Sequence, residues 1–293
     1  MGLRKSAAVL LAVILCLAGC GGQVATQSEP SDTAAGPAIE DSTKVMVSGD
    51  MDNLQLDDPA LPVYDTYTVK ERQEQGLAVA MPKLVPYKPK EGKIAYLTFD
   101  DGPEDVNTPA VLDILAENGV PATFYVVGKQ AKAYPEVLKR IYESGCAIGN
   151  HSYDHDYGRL YASPAAYIAE MERADEAIRS IIGVRPLITR APGGVIGHFN
   201  KSYWSSLAAA GYVEHDWNIS SADAAPNHPV AQDFIDNIRG QASGANAPSS
   251  AIILMHSSSG HEETVKALPI IIQILKEQGY RFGVITPMTP QPW

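Results

Sequence analysis

Short β-rich segments alternate with amphipathic helical segments from Lys93 almost to the end of the chain. Roughly seven βα units in succession favour a parallel sheet, closed or open, because each helix returns the chain to the same edge of the sheet. The predicted strands are 94–99, 122–127, 146–149, 187–189, 212–217, 251–255 and 282–285. The predicted helices are 109–118, 134–144, 164–182, 202–210, 230–239 and 265–278. The sequence therefore predicts an α/β fold.

The first residues resemble a bacterial export signal. Arg4 and Lys5 precede an apolar run, Ala7–Ala18, that is short for a membrane-spanning helix. The letters LAGC, ending at Cys20, resemble a lipobox, in which cleavage leaves a lipid on the new N-terminal cysteine. We predict a signal peptide over residues 1–19 and a lipid anchor on the extracytoplasmic face of the cell membrane. An ordinary secretory signal or a stop-transfer anchor is the alternative.

The segment after the signal has the composition of a linker. Residues 21–60 are rich in Ser, Thr, Gly, Pro, Asp and Gln and contain eight acidic residues and one lysine. Such a segment buries too little apolar surface to fold alone. We predict a disordered or extended tether over residues 20–90, with a short extension packed on the domain as the alternative for 61–90. The folded domain is expected over residues 91–288.

Polar residues follow the predicted strands where those strands end. In parallel α/β folds, functional sites form at the carboxyl ends of the strands. The residues in these positions are Asp100, Asp101, His151, His155, Arg190, Asp223 and His256. Their shared placement is stronger support for a site than any one of them.

Two adjacent carboxylates, Asp100 and Asp101, end the first strand at a Gly-Pro turn. Neighbours on a regular strand point to opposite faces, so both can address one site only because the strand stops there. They would approach it from different directions, which suits two separate roles. Alone, the motif is more typical of a solvated Asp-Gly turn.

His151 and His155 are four residues apart, a spacing that places two imidazoles on one side of a helical turn. With Asp100 or Asp101 as an anionic third ligand, they suit a divalent metal with open positions for water and substrate. Surface placement or core packing is the alternative for such a pair.

Four motifs in this order resemble one known family. They are TFDDGP (98–103), HSYDH (151–155), RAPGG (190–194) and LMH (254–256). Together they are similar to the polysaccharide deacetylases, carbohydrate esterases with the NodB-homology fold, over about residues 91–288. The resemblance implies a distorted (β/α) barrel with seven or eight parallel strands. It also implies metal-dependent removal of N-acetyl groups from an amino-sugar polymer.

The resemblance implies a role for each motif residue. Asp100 matches the general base, and Arg190 matches the arginine that orients it. The metal ligands implied are Asp101, His151 and His155, holding Zn²⁺ or, alternatively, Co²⁺ or Mn²⁺. His256 matches the general acid and Asp223 its carboxylate partner, on a weaker alignment, and the backbone N–H of Gly193 is the expected oxyanion donor.

Two positions depart from the family pattern. The family usually has an aromatic residue where Gly193 stands and a tryptophan where Ala224 stands. The acetyl pocket is therefore expected to be wider, or rebuilt by Trp217 or Tyr153. Cys146, the only thiol outside the export segment, is expected to be a small buried residue. For His198, His215, His228 and His261, surface or packing roles are expected.

The expected partner is an acetylated amino-sugar glycan, with peptidoglycan favoured because an anchor at Cys20 holds the domain beside the cell wall. The two departures favour the muramyl sugar slightly over glucosamine, because the lactyl group needs room. Nucleic acid is excluded on charge, since the 293-residue chain carries a net charge of −11. An O-acetyl esterase, another C–N hydrolase of the same fold and a non-catalytic glycan-binding lipoprotein are the alternatives. The sequence does not indicate an oligomeric state.

Overall fold

The computed structural model describes residues 44–50, 61–81, 84–87, 92–227 and 229–292. The predicted signal peptide, Cys20, tether residues 21–43 and 51–60, and His228 lie outside the described residues. The strands are β1 (Val45–Val47), β2 (Val63–Asp65), β3 (Lys93–Asp100), β4 (Thr123–Val126), β5 (Ala147–Asn150), β6 (Arg185–Pro186), β7 (Ile188–Thr189), β8 (Val213–Glu214), β9 (Ile219–Ser220), β10 (Ser250–His256) and β11 (Tyr280–Phe282). The helices are α1 (Val69–Gln75), α2 (Asn107–Asn118), α3 (Gly128–Ala133), α4 (Pro135–Glu143), α5 (Tyr157–Leu160), α6 (Pro164–Ile182), α7 (Lys201–Ala209), α8 (Ala231–Ala242) and α9 (Glu262–Glu277). Within these described ranges, no helix combines the length and apolarity needed to cross a bilayer.

The main sheet is a half-barrel of parallel strands. Its order is β8-β7-β5-β4-β3-β10-β9, and β11 pairs with the first residues of β3. The α/β barrel-like fold predicted from the sequence is therefore confirmed. The strands β8 and β9, at opposite ends of this order, are separated by only residues 215–218 in the chain. A link this short brings the two edges of the sheet close together, as strong curvature requires.

The central strand β3 shows how sequence sets the two faces of the sheet. Its side chains alternate, so Leu97 and Phe99 join the cluster packed against the outer helices. Ile94 and Tyr96 belong instead to a second buried cluster on the inner face. Asp100 continues this inner series at the carboxyl end of the strand and is only 3% exposed. The alternation thus delivers a carboxylate to the interior of the half-barrel.

Two predicted strands differ from the structure. The segment 212–217 was predicted as one strand, but the chain leaves the sheet after β8 and rejoins it at β9. Between them, the Asn218 side chain bonds to the Ser250 carbonyl and accepts from the Ile252 N–H, each at 2.8 Å. The final strand lies at β11 rather than at 282–285, because β11 fits beside the start of β3.

The N-terminal segment corrects the predicted tether. Strands β1 and β2 pair in parallel, and β2 pairs antiparallel with β6, forming a second, three-stranded sheet. The helix α1 follows, with Thr68 and Glu71 forming a capping box at its N-terminus. Residues 44–47 and 61–76 therefore contain regular structure, and the prediction of a disordered or extended tether is wrong there. Among the described residues of 61–90, Leu61, Met81 and Leu84 pack against buried residues of the domain.

A buried ion network fixes this extension to the domain. Asp65 accepts from Arg72 Nε at 2.5 Å and from Arg185 Nη2 at 2.9 Å, and all three side chains are fully buried. Arg185 also lies 3.4 Å from Asp175 on α6. The network joins residues 120 positions apart in sequence, which local composition cannot reveal.

We expect Asp65→Ala to lower the free energy of unfolding by about 3–5 kcal/mol, because buried Arg72 loses its carboxylate partner and buried Arg185 keeps only Asp175. Urea denaturation of the described domain measures this change. Glu74→Ala, which breaks only the exposed Lys70–Glu74 pair, is the control and should cost less than about 1 kcal/mol. Equal effects of the two substitutions would show that the extension is not held by this network.

Candidate active site

The predicted site residues converge at the carboxyl edge of the main sheet. Asp100 ends β3 and is the direct ladder partner of His256, which ends β10. His151 follows β5, and Arg190 follows β7. Residues far apart in sequence thus meet because parallel strands end at one edge.

Three of them form a compact donor cluster. Asp101 Oδ1 lies 3.4 Å from His151 Nε2 and 3.3 Å from His155 Nε2. Both Asp101 and His155 adopt left-handed backbone conformations, with φ of 72° and 58°. Such conformations are uncommon outside glycine and occur often at functional sites. The turn at Asp101 directs its carboxylate toward the two histidines, in a different direction from the carboxylate of the neighbouring Asp100.

The cluster fits a divalent cation. Asp101 Oδ1 is buried and has no hydrogen-bond partner among the described residues. Burial alone would raise the pKa of Asp101, but His151, His256 and His155 outweigh it and hold that pKa well below its usual value. His151 Nδ1 lies 2.8 Å from the Arg190 carbonyl, which leaves Nε2 free as a ligand atom. Two imidazoles and one carboxylate are a donor set that leaves positions open for water and substrate.

Asp100 is held apart from this cluster by Arg190. The guanidinium Nη1 donates to Asp100 Oδ1 at 2.8 Å and to Thr98 Oγ1 at 2.7 Å. Its Nε donates to the His215 carbonyl at 2.9 Å, and the whole side chain is buried. The other oxygen of Asp100, Oδ2, lies 3.8 Å from His151 Nε2. Asp100 therefore has one oxygen fixed by Arg190 and the other facing the cluster.

His256, at the end of β10, and Asp223 form a hydrogen-bonded pair. His256 Nδ1 lies 2.8 Å from Asp223 Oδ1, and Asp223 Oδ2 accepts from the His256 N–H at 2.7 Å and from Thr264 Oγ1 at 2.8 Å. Burial lowers the pKa of His256, but the hydrogen bond and charge of Asp223 outweigh it and raise that pKa to about 9. His256 is therefore a cation at neutral pH, with a proton available to the site.

His261 stacks on His256, with ring centroids 4.9 Å apart. Donor atoms of Asp223, His256 and His261 also come within 4.8 Å of one another. Both carboxylate oxygens of Asp223 are already engaged by His256 and Thr264, unlike Oδ1 of Asp101. The Asp101 cluster is therefore the better cation site.

The loop 190–195 follows β7 and begins at Arg190, which binds Asp100. Gly193 and Gly194 have φ of 75° and 81°. Both values lie in the left-handed region, where a residue with a side chain would have a strained backbone. Gly193 is exposed, and its N–H makes no hydrogen bond within the part of the chain that the structure describes. An exposed backbone donor thus faces out of the loop that follows Arg190.

Comparisons with known proteins decide the family. Residues 87–215 match the family model described as polysaccharide deacetylase. A peptidoglycan-N-acetylglucosamine deacetylase of Bacillus cereus is 34% identical over 227 residues, covering 76% of this chain and 81% of that relative. The chain belongs to the polysaccharide deacetylase family.

Two further polysaccharide deacetylases support this assignment. A peptidoglycan-N-acetylmuramic acid deacetylase of Bacillus subtilis is 34% identical over 196 residues, covering 66% of this chain and 70% of that relative. The crystal structure of a polysaccharide deacetylase from Bacillus cereus has a TM-score of 0.61 at 33% identity, covering 66% of this chain and 92% of that one. The half-barrel is therefore the fold of the family, and the resemblance stated from the motifs is confirmed.

The structure shows what replaces the aromatic residue that polysaccharide deacetylases usually have at position 193. A Cβ atom added to Gly193 would lie 2.7 Å from the Tyr157 hydroxyl oxygen. Trp217 packs instead against Gly194, and Tyr153 packs against Arg173, with the guanidinium 4.0 Å from its ring centroid. The space beside Gly193 is thus filled by Tyr157, a residue that sequence reasoning missed.

The position of Ala224 is open, as expected for a small residue there. It lines a groove of about 520 Å³ beside the Asp223 and His261 side chains. Apolar residues of the loop before α8 and of α8 itself, including Val230 and Phe234, form much of its wall. The groove lies on the Asp223 side of the site, and a wider acetyl pocket stays a prediction.

Buried acids that the motifs do not include hold the Gly193 loop. Glu214 accepts from the Ala191 N–H at 2.5 Å, and Asp216 accepts from the Val195 N–H at 3.0 Å. Burial raises the pKa of Glu214 to about 7. A signal for them existed in the sequence, because two acids alternate within the strand predicted at 212–217. Tyr161 completes the support by donating to the Pro192 carbonyl at 2.6 Å.

Cys146 is buried, and burial raises the pKa of its thiol. It lies outside the site, as expected for a packing residue.

Proposed function

We propose that this polysaccharide deacetylase removes N-acetyl groups from the amino sugars of peptidoglycan in a metal-dependent hydrolysis. The observation that carries the proposal is the arrangement of Asp100 and His256, one carboxylate and one cationic imidazole on adjacent strand ends beside the Asp101 cluster. This gives the site a proton acceptor and a proton donor next to a place for a cation. The named relatives act on peptidoglycan, which supports that substrate class.

Asp101, His151 and His155 would hold the cation, for which we propose Zn²⁺, with Co²⁺ or Mn²⁺ as alternatives. When bound, it would polarise the acetamide carbonyl and increase the acidity of a water molecule in the site. Asp100 accepts the proton of that water as its oxygen attacks the acetyl carbon. Arg190 fixes Asp100 at 2.8 Å, so its second oxygen stays directed at the water.

The remaining two steps use Gly193 and His256. The N–H of Gly193 donates to the carbonyl oxygen as it gains negative charge. His256 then transfers its proton to the sugar nitrogen as the carbon–nitrogen bond breaks, because an amine anion is a very poor leaving group. Acetate and a free amine are the products.

Asp223 should control the alkaline limit of this reaction. Its hydrogen bond and charge raise the pKa of His256 to about 9. His256 therefore loses its proton as the pH rises through that value, and the reaction then lacks its general acid. We expect Asp223→Asn to move the alkaline inflection of kcat/KM to lower pH by at least about one unit, because the amide keeps the hydrogen-bond acceptor but not the charge. A pH profile of both proteins measures this, and an unmoved inflection would mean that His256 is not the titrating acid.

Two departures from the family pattern bear on the choice between the two peptidoglycan sugars. Room for the lactyl group was expected from both Gly193 and Ala224, and Tyr157 fills the space beside Gly193. The groove beside Ala224 remains open. We therefore propose peptidoglycan as the polymer and leave muramic acid and glucosamine to be separated by experiment.

A lipid on Cys20, holding the enzyme on the extracytoplasmic face of the cell membrane, remains part of the proposal. It is supported by the LAGC motif after an apolar run. Cys20→Ser should move the protein from the membrane fraction to the soluble fraction, and an unchanged distribution would exclude a lipid anchor at this residue.

Mass spectrometry of a defined substrate panel tests the function. The metal-loaded protein is incubated with peptidoglycan fragments, chitooligosaccharides, poly-N-acetylglucosamine and O-acetylated xylan. We expect acetate release and one free amine per modified sugar on peptidoglycan. Reaction only with chitooligosaccharides or poly-N-acetylglucosamine would overturn the substrate, reaction only with xylan would indicate an esterase, and no turnover would indicate a binding protein.

A further inference from the structure

We propose that the hydroxyl group of Tyr157 donates a second hydrogen bond to the reacting carbonyl oxygen, beside the N–H of Gly193. The proposal rests on the proposed deacetylation and names a further catalytic residue for it. Tyr157 lies outside all four motifs, at the first position of the short helix α5.

The position of the hydroxyl group is the first observation. A Cβ on Gly193 would lie 2.7 Å from the Tyr157 hydroxyl oxygen and 3.0 Å from the adjacent ring carbon, so the tip of the side chain rests on this glycine. The Tyr157 ring also meets the ring of His155 edge-on, with centroids 5.4 Å apart. The Tyr157 side chain therefore spans from His155, one of the proposed cation ligands, to Gly193, with its hydroxyl group at the Gly193 end.

The second observation is that this hydroxyl group is free to act. Three other tyrosines near the site use their hydroxyl groups to hold the fold: Tyr161 donates to the Pro192 carbonyl, Tyr203 to the Tyr161 carbonyl and Tyr212 to Asp175. Tyr157 makes no hydrogen bond with any residue that the structure describes, and the residue is 44% exposed. A hydroxyl group without a structural partner beside a reaction centre is available to a substrate.

The third observation is that the Tyr157 ring is held without its hydroxyl group. Besides His155, it contacts the rings of Tyr161 and His198, each with centroids 5.9 Å away. Asp156 caps α5 by accepting the Arg159 N–H at 3.1 Å. The hydroxyl is thus aimed before substrate arrives, as a donor must be if it is to stabilise developing charge.

The chemistry of the donor fits the reaction. A phenol keeps its proton at neutral pH and can donate to an oxygen whose negative charge grows during attack. The hydrogen bond strengthens toward the transition state, so its loss should appear in kcat and not in KM. The space beside Gly193 is then a donor site formed by two separate segments of the chain.

Tyr157→Phe tests this, because it keeps the ring and removes only the hydroxyl group. We expect kcat to fall by about 10–100-fold with KM unchanged within about twofold. The matched control is Tyr203→Phe, which removes a tyrosine hydroxyl group that donates to the Tyr161 carbonyl and does not touch the Gly193 loop. If the effect came from general loss of tyrosine hydrogen bonding, Tyr203→Phe would lower kcat at least as much, so that outcome overturns the proposal. An unchanged kcat in Tyr157→Phe, or a rise in KM alone, also overturns it.

Binding of methylphosphonate, a tetrahedral anion, provides a second measurement that needs no turnover. Calorimetry on the metal-loaded protein should show affinity about tenfold weaker in Tyr157→Phe and unchanged in Tyr203→Phe. Equal affinity in wild type and Tyr157→Phe would overturn the proposal. Failure of the peptidoglycan assay would contradict the proposed substrate and not the role of Tyr157. The kcat values can be compared on whichever polymer reacts, and methylphosphonate binding can be compared without any polymer.

Discussion

The substitution His151→Ala should remove both the bound divalent cation and the turnover of the purified enzyme. His151 is 3% exposed and places Nε2 3.4 Å from the Asp101 oxygen that has no hydrogen-bond partner among the described residues. We expect cation affinity to fall by more than the roughly 10–100-fold typical of changes outside the ligand shell. His155→Ala should behave in the same way. Metal analysis after dialysis, together with acetate release, measures both effects.

The control for His151→Ala is His198→Ala, which removes an imidazole that stacks on Tyr161 and contributes nothing to the cluster. It should keep its full cation content. Chelation of the wild-type enzyme should abolish acetate release, and added Zn²⁺, Co²⁺ or Mn²⁺ should restore it. Full activity after exhaustive chelation would show that the proposed reaction needs no metal.

Asp100→Asn should reduce turnover by about 10²–10⁴-fold while leaving the cation content nearly unchanged. The amide oxygen can still accept from Arg190, which donates to Asp100 at 2.8 Å, so the geometry survives and only proton acceptance is lost. Pre-steady-state acetate release and metal analysis on the same preparation separate the two effects. His256→Ala, which removes the proton donor, should also keep its metal.

Asp101→Asn is the matched comparison for Asp100→Asn, since the two residues are adjacent and undergo the same chemical change. The Asp101→Asn protein should lose the cation, because Asp101 Oδ1 is the oxygen that faces both histidines. Stoichiometric metal loss in Asp100→Asn, with retention in Asp101→Asn, would show that the two roles have been exchanged.

The positions of the motif residues could be predicted from the sequence because strand ends share an edge. Asp100 and His256 each end a buried parallel strand, and because the two strands are neighbours, the two residues are ladder partners. The separate directions of Asp100 and Asp101 also follow from the end of the strand, and the φ of 72° at Asp101 shows how the turn achieves it.

Tyr157 could not be assigned from sequence. Its approach to Gly193 depends on the left-handed turn at His155 and on the path of the loop after β7, neither of which local propensity specifies. The three-residue strand β1 was missed for a similar reason. It pairs with β2, and β2 in turn is bound through Asp65 by Arg185, which is 120 residues away in the sequence.

The loop that carries Gly193 is fastened at Ala191, Pro192 and Val195 by Glu214, Tyr161 and Asp216. These hydrogen bonds restrict movement of the loop in the free enzyme. We therefore expect little reorganisation of the loop when a tetrahedral intermediate forms. For inhibitor discovery, this wall of the pocket is therefore a rigid receptor. Compounds that imitate a tetrahedral carbon should be selected by fit to it, and not by their ability to mould it.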